Sequence, residues 1–307
     1  MPCYRPLTGY RSKVVNESGK RGIVFNLREG FCDLVVQVPC GQCIGCRLER
    51  SRQWAIRCVH EASLYEDNCF VTLTYSDEHL PADGSLDKSE FQRFMKRLRK
   101  RFHDSIIRYY HCGEYGEQFG RPHYHVCLFN HDFPDKKLYK VLHGGNKLYT
   151  SEILAQLWPL GYSTIGEVTF ESAAYVARYI LKKITGKGAS EHYEKVNPNT
   201  GEIFQVQPEY TTMSRRPGIG KPWLDKYLKD VFPSDFIVMR GKKMGVPKYY
   251  TSQYEIICPG EVKKIKTRRK LKAIRHSENN TRERLFVREF VQKRKLEKLP
   301  RTIEKEL

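Results

Sequence analysis

The sequence has no apolar run long enough to span a bilayer, and its N-terminus, MPCYRPLTGY, lacks the apolar core of a secretion signal. Both absences set the expectation of a chain that works in the cytoplasm, without a membrane partner. Acid is also in short supply: 35 Asp and Glu stand against 54 Lys and Arg, a net charge of +19 with a pI near 9.5. Such a field concentrates polyanions, and without a membrane anchor the polyanion expected is nucleic acid. No internal repeat and no low-complexity linker interrupts the chain before its end, so one integrated fold is expected. What is present fits that reading. The 307 residues are 40% hydrophobic, enough for a real core. Ten cysteines in a chain with no secretory signal point to metal held by clustered thiols, with the scattered ones serving as small buried hydrophobes.

Three regions are read along the chain. Residues 1–60 carry the cysteine cluster and pack on the core; residues 61–260 form the main domain; residues 261–307 form a basic tail. In the tail 17 Lys and Arg face 7 Asp and Glu, so +10 of the +19 lies there. It is expected to be helical along a polyanion, or disordered. Within the main domain CFVTLTY (69–75) alternates and is β-branched, so it reads as a strand. LDKSEFQRFMKRLRKRF places Phe91, Phe94, Leu98 and Phe102 at helical spacing behind a capping-box-like start, Asp87 with Glu90. IIRYYHCGEYG and RPHYHVCLF read as two strands joined by a glycine-containing hairpin. ESAAYVARYILKKITGKG reads as a helix that begins near Glu171 and ends before Gly186.

His123 and His125 are separated by one residue. On a strand they share a face with Cys127 and Phe129, while Tyr124, Val126 and Leu128 line the other. A strand that is apolar on both faces is an interior one, where imidazoles need a partner. Glu114, on the neighbouring strand of the hairpin, supplies a carboxylate. Two His and one Glu suit Mg²⁺ or Mn²⁺ at a phosphate-handling site; Zn²⁺ is the alternative, as is plain hydrogen bonding in a core. A facial triad for iron oxygenase chemistry is disfavoured by the positive charge and by the lack of any sign of a co-substrate pocket. On the helix that carries YVARYILKK (175–183), Val176, Ile180 and Ile184 share an apolar stripe with Ala173 and Ala177. Tyr175 and Tyr179 lie on a flank one turn apart, with Lys182 beside them, an arrangement suited to nucleophilic phenols; the bland alternative is core packing. A phenol ionises near pH ~10, so it attacks at neutral pH only where a cation stabilises its charge.

CGQCIGC brings Cys40, Cys43 and Cys46 into one tight loop, one ligand short of tetrahedral zinc. Cys3 and Cys58 are the candidates for the fourth. Cys3 is favoured because Cys58 falls inside the expected helix RLERSRQWAIRCVHEA. An iron–sulfur site and a metal-free thiol cluster are the alternatives.

FVTLTY, GEYGEQFGRPHYHVCLF and YVARYILKK, in that order, resemble the three motifs of the HUH endonucleases that start rolling-circle replication. The wider wording of VPCGQCIGCRLERSRQWAIRCVHEA, FESAAYVARYILKK and TMSRRPGIG resembles the replication initiators of gokushovirus-type microviruses, and the likeness covers most of residues 1–250. It implies an α+β fold, a central antiparallel sheet carrying the HUH strand with flanking helices. It implies His123, His125 and Glu114 as ligands of a catalytic divalent ion, Tyr175 and Tyr179 as paired nucleophiles, and Lys182 or Lys183 as the supporting cation. A cysteine near the N-terminus, in the place of Cys3, also belongs to that likeness. The implied activity is nicking of origin DNA through a 5′-phosphotyrosine, leaving a 3′ hydroxyl, and later closure of a single-stranded circle. The implied partners are single-stranded and replicative-form viral DNA with the host's helicase and polymerase, inside a bacterial cell. The nearest approach to a helicase P-loop, GIGKPW (218–223), lacks its first glycine and its hydroxyl. The rival function is a non-catalytic single-stranded nucleic-acid binder whose aromatic residues stack on bases.

Overall fold

Three strands open the chain. β1 (Leu7–Val15) lies between β2 (Arg21–Val24) and β3 (Gly30–Val38) in an antiparallel sheet of order β2-β1-β3. Gly30 is needed there, since a Cβ would come within 2.4 Å of the Cβ of Tyr10. The cysteine loop follows, and α1 (Ile44–Ala62) begins inside it. The structure is a computed structural model that describes residues 3–17, 19–116, 120–142, 145–179, 189–196 and 201–297. These residues fall into two units, 3–50 with 263–297, and 51–262.

The second unit is built on β4 (Asn68–Tyr75), α2 (Lys88–Arg101), β5 (Arg108–Tyr115), β6 (Pro122–Phe129), β7 (Lys137–Val141), β8 (Lys147–Thr150), α3 (Glu152–Leu157), β9 (Gly161–Gly166) and α4 (Phe170–Tyr179). It continues through α5 (Ala189–His192), β10 (Glu194–Val196), β11 (Ile203–Gln205), β12 (Tyr210–Met213), α6 (Lys221–Lys226), α7 (Leu228–Val231), β13 (Phe236–Met239), β14 (Lys242–Gly245) and α8 (Lys248–Ile257). α9 (Pro259–Ile274) and α10 (Arg282–Glu297) are the helices of the basic C-terminal stretch.

The fold class is the expected one. Seven antiparallel strands run in the order β12-β5-β6-β4-β9-β8-β7, with the His-x-His strand β6 between β5 and β4. Period-two alternation sends Val71, Leu73, Tyr124, Val126 and Leu128 to one face, where Phe91, Phe94 and Leu98 of α2 and Trp158 pack on them. Phe70, Tyr110, Cys112, Cys127 and Phe129 go to the other face, against Ala173, Val176 and Ala177 of α4 and Ala55 and Cys58 of α1. The start of α2 differs from the expected capping box. The Asp87 side chain accepts from the Ser89 N–H at 2.7 Å, but Glu90 turns away to accept from the buried Tyr75 hydroxyl. The Asp87 N–H that such a box would satisfy donates instead to the Tyr124 hydroxyl at 3.1 Å, which leaves the Glu90 carboxylate to the buried Tyr75 phenol.

One buried ion pair organises the stretch after β12. Glu61, wholly buried, accepts from Arg108 and from the Gly220 N–H at 2.5 Å. Arg108 also donates to the Pro217 carbonyl at 2.8 Å, and Arg57 to that of Ile219 at 3.0 Å. Glu61→Ala strands the Arg108 charge without a partner, and a loss of about 3–5 kcal/mol is expected. Urea unfolding checks this; a loss below ~1 kcal/mol would show the pair to be dispensable.

Candidate metal and nucleophile site

The hairpin of β5 and β6 sets Glu114 directly opposite His123 and Cys112 opposite His125. Directly paired residues share a face, so the carboxylate and both imidazoles converge. The His123 Nε2 lies 2.7 Å and the His125 Nε2 2.8 Å from one oxygen, Glu114 Oε1. Each ring is held from behind. The His123 Nδ1 is 3.1 Å from the Arg121 carbonyl oxygen, which can only accept, so Nδ1 carries a proton. The His125 Nδ1 meets the Thr72 hydroxyl at 2.9 Å. His125 and Glu114 are fully buried, whereas His123 keeps its edge open to solvent.

This arrangement fits a cation. If Nδ1 of His123 holds that ring's proton, Nε2 turns a lone pair toward a carboxylate oxygen, and a proton or a metal ion must stand between them. Glu114 Oε2 is buried and has no hydrogen-bond partner among the described residues. Burial opposes ionisation of Glu114, yet the hydrogen bonds and charge of the two histidines outweigh it and hold the carboxyl below its usual range. The donor set of one carboxylate and two imidazoles, each backed by an outer hydrogen bond, suits a divalent ion. His111 is no part of it. It stacks on Phe91 across the sheet at 3.3 Å between ring centres, its Nδ1 2.9 Å from the Thr212 hydroxyl.

Tyr175 sits beside this group. Its ring stands edge-on to His125, 5.1 Å between centres, and edge-on to Phe70 at 6.5 Å. The expectation that Tyr175 lies off the core-facing stripe needs correction, because it is only 3% exposed. The stripe on an isolated helix allows for one covered side, but α4 packs on the sheet while the Ser51 hydroxyl of α1 donates to the Ala174 carbonyl at 2.9 Å, so a flank is enclosed too. Tyr179 ends α4 one turn further on. Lys182 and Lys183, with Ile180, Ile184 and Gly186, lie outside the described residues. Thr72 is a member of the site that the sequence does not single out; the alternation of FVTLTY is the available sign, since it puts Thr72 and Thr74 on one face.

The comparisons follow the same residues. Residues 68–184, from β4 through the tyrosine helix, match the family model described as replication-associated protein ORF2/G2P. Replication-associated protein VP4 of Bdellovibrio phage phiMH2K is 35% identical over 292 residues, 92% of this chain and 86% of that one. Replication-associated protein ORF2 of Spiroplasma virus 4 is 35% identical over 230 residues, 71% of this chain and 68% of that one. The chain belongs to the phage replication-associated proteins. Replication-associated protein ORF4 of Chlamydia phage 1 is 30% identical over 220 residues, 69% of this chain and 52% of that one. No solved structure matches the chain. Among the described residues no helix is long and apolar enough to cross a membrane.

This replication-associated chain carries a second convergent set in its other unit. The sulfurs of Cys3, Cys40, Cys43 and Cys46 lie within 4.8 Å of one another, with Cys3 3.8 Å from Cys40 and 3.9 Å from Cys43. Four thiolates ~2.3 Å from one zinc stand about 3.8 Å apart, whereas a disulfide is ~2.0 Å. Amides point at the sulfurs: Tyr4 N–H to Cys43 at 3.3 Å, Cys40 N–H to Cys3 at 3.3 Å and Cys43 N–H to Cys40 at 3.2 Å. Burial resists ionisation of Cys43, but the Tyr4 and Cys46 amides and the Cys40 and Cys46 thiols bring it to about 7. Burial and the Cys3 and Cys43 thiols push Cys46 upward. Four thiolates therefore coexist only around a cation, and the set fits zinc. Cys58, the other candidate, is buried in the sheet core with Cys127.

Proposed function

We propose that the chain initiates rolling-circle replication of a single-stranded DNA phage by nicking origin DNA through a tyrosine. The observation that supports this most is the convergence of both imidazole Nε2 atoms on Glu114 Oε1, with the Tyr175 ring against His125. Glu114, His123 and His125 would hold a Mg²⁺ or Mn²⁺ ion, which would supply Lewis-acid withdrawal of charge from a phosphate oxygen. The phenol oxygen of Tyr175 or Tyr179 attacks phosphorus as its proton passes to solvent. The P–O3′ bond breaks, and the 3′ oxygen takes up a proton. A 3′ hydroxyl and a 5′-phosphotyrosine result, and the ester keeps the energy needed to close a circle later without ATP. Lys182 or Lys183 would steady the phenolate. A host polymerase extends the 3′ hydroxyl and a host helicase parts the strands, in the cytoplasm of the infected bacterium.

Two tyrosines one turn apart, roughly 5–6 Å between Cβ atoms, allow one to cut a regenerated origin while the other still holds the first end. Tyr175→Phe and Tyr179→Phe are each expected to retain single-step nicking, and neither to complete repeated rounds of circle release. A single variant that sustains wild-type multi-round replication would make its tyrosine a bystander.

The rival reading, a non-catalytic single-strand binder, draws on the burial of Tyr175 in the core beside Phe70. Oligonucleotides tiling the phage genome separate the two. The proposed function requires cleavage that depends on Mn²⁺ or Mg²⁺, with a covalent adduct on a peptide holding Tyr175 or Tyr179. Gel shifts of intact DNA under the same conditions would establish the binder instead.

A further inference from the structure

The face that holds Glu114, His123 and His125 does not end with them. Register places Glu114, His123, Thr74 and Tyr162 in one cross-strand row, and Cys112, His125, Thr72 and Thr164 in the next. Directly opposed residues point the same way, so Thr74, Tyr162, Thr72 and Thr164 extend the site across β4 onto β9. Helices α1 and α4 cover the part of this face formed by Phe70, Tyr110, Cys127 and Phe129. On the β9 side the surface opens, and Tyr162 is 72% exposed. The Thr164 hydroxyl in the adjacent row has no hydrogen-bond partner among the described residues. Further out, a Cβ on Gly166 would stand 3.7 Å from Leu148, and Leu148 pairs with Lys140, so the same face ends at a lysine.

A lone exposed tyrosine on a strand is ordinary. The position of this one is not, because it stands in the row of His123 and Glu114. Neighbouring strands are ~4.8 Å apart, so Tyr162 is two strands, about 10 Å, from His123. A polyanion whose phosphate sits at the ligands would run over Thr74 to reach it, and the chain's charge of +19 favours that occupant over a cationic or neutral one. An exposed aromatic ring on the open part of a sheet stacks with a base that is not already stacked in a duplex.

We propose that the open half of this sheet seats the single-stranded DNA flanking the scissile phosphate, with Tyr162 as the platform on which one unpaired base stacks. The inference rests on the assignment of Glu114, His123 and His125 as the cleavage site. Tyr162 is a positioning residue, set apart from the nucleophiles.

The test is binding of a fluorescein-labelled single-stranded origin oligonucleotide in EDTA, where cleavage is silent, to wild type, Tyr162→Ala and Tyr162→Phe. Tyr162→Ala should bind about 5- to 150-fold more weakly, the range for losing one base–aromatic stack, and Tyr162→Phe should bind as wild type. 2-Aminopurine walked along the oligonucleotide should be quenched at one position by wild type and by Tyr162→Phe, and released by Tyr162→Ala. In nicking assays the loss should fall on KM and leave kcat near wild type. Wild-type affinity in Tyr162→Ala, or a loss in Tyr162→Phe as large as in Tyr162→Ala, overturns the platform. Cleavage by wild type together with a neutral Tyr162→Ala would defeat this inference alone. Binding and quenching by a wild type that never cleaves would defeat the nicking assignment and leave the platform standing.

Discussion

His125→Ala is expected to slow nicking of a single-stranded origin oligonucleotide by roughly a thousand-fold or more, while its affinity for that oligonucleotide stays within a few-fold of wild type. The ring it removes is fully buried, tied to Thr72 on one side and to Glu114 on the other. Without it the set keeps one carboxylate and one imidazole, and Glu114 is left in a buried position with a single partner. Lewis-acid assistance to phosphoryl chemistry is worth several kcal/mol, and each ~1.4 kcal/mol is a factor of ten in rate. Affinity, by contrast, comes mostly from Lys and Arg against phosphates, which the substitution leaves alone.

Thr72→Val makes the assignment sharper, because it only frees the back of the ring. Outer hydrogen bonds of this kind typically carry 10- to 100-fold in metal affinity, so the Mn²⁺ concentration for half-maximal binding, read by electron paramagnetic resonance on the protein alone, should rise by about that factor. A melting curve like that of wild type separates either effect from misfolding. Wild-type nicking by folded His125→Ala would remove the metal assignment altogether.

The parts of this site that lie close together along the chain are legible in the amino-acid sequence itself. Glu114 is nine residues from His123 across a hairpin, and strand alternation alone puts both histidines with Cys127 and Phe129 on one face, which is where they are. Helix α2 is equally plain from Phe91, Phe94 and Leu98. Long-range partners are not. Thr72 meets His125 across 53 positions and Glu61 meets Arg108 across 47, and such pairings depend on which strands and helices lie side by side, a choice no local pattern encodes. Burial of Tyr175 is hidden for the same reason, since the periodicity of one helix cannot tell how many neighbours enclose it. The sheet of β1, β2 and β3 leaves no clear sign either. Its strands, LTGYRSKVV among them, mix charge with apolar residues such as Val14, which is 73% exposed, and so lack the alternation of a half-buried strand.

If the four cysteines hold the zinc that their geometry fits, its loss should have the largest effect on stability, and its reach should extend to the far end of the chain. Chelator-free protein prepared under reducing conditions is expected to hold about one zinc per chain, and Cys43→Ser to hold none. Structural zinc contributes an apparent ~10–16 kcal/mol in small zinc-binding peptides, so the unit of residues 3–50 and 263–297 should lose its cooperative folding without it. The path is short. Cys3 is one of the four convergent sulfurs; the next residue, Tyr4, gives its N–H to Cys43 and lies under Arg288 of α10, with the guanidinium 5.8 Å from its ring; the next, Arg5, donates to Glu289 at 2.9 Å. The Glu289 carboxylate is 8% exposed, and among the described residues its ion partner apart from Arg5 is Lys293 at 3.9 Å. Freeing Cys3 therefore frees the two residues that grip α10. Hydrogen exchange across residues 282–297 should accelerate on chelation and in Cys43→Ser. Arg5→Ala should keep its zinc but loosen α10 part of the way, because one partner of a buried carboxylate is gone. Protein free of zinc as isolated would refute the metal site. Full zinc with exchange of α10 unchanged in Arg5→Ala would refute the strap from Cys3 to Glu289 while leaving the site intact.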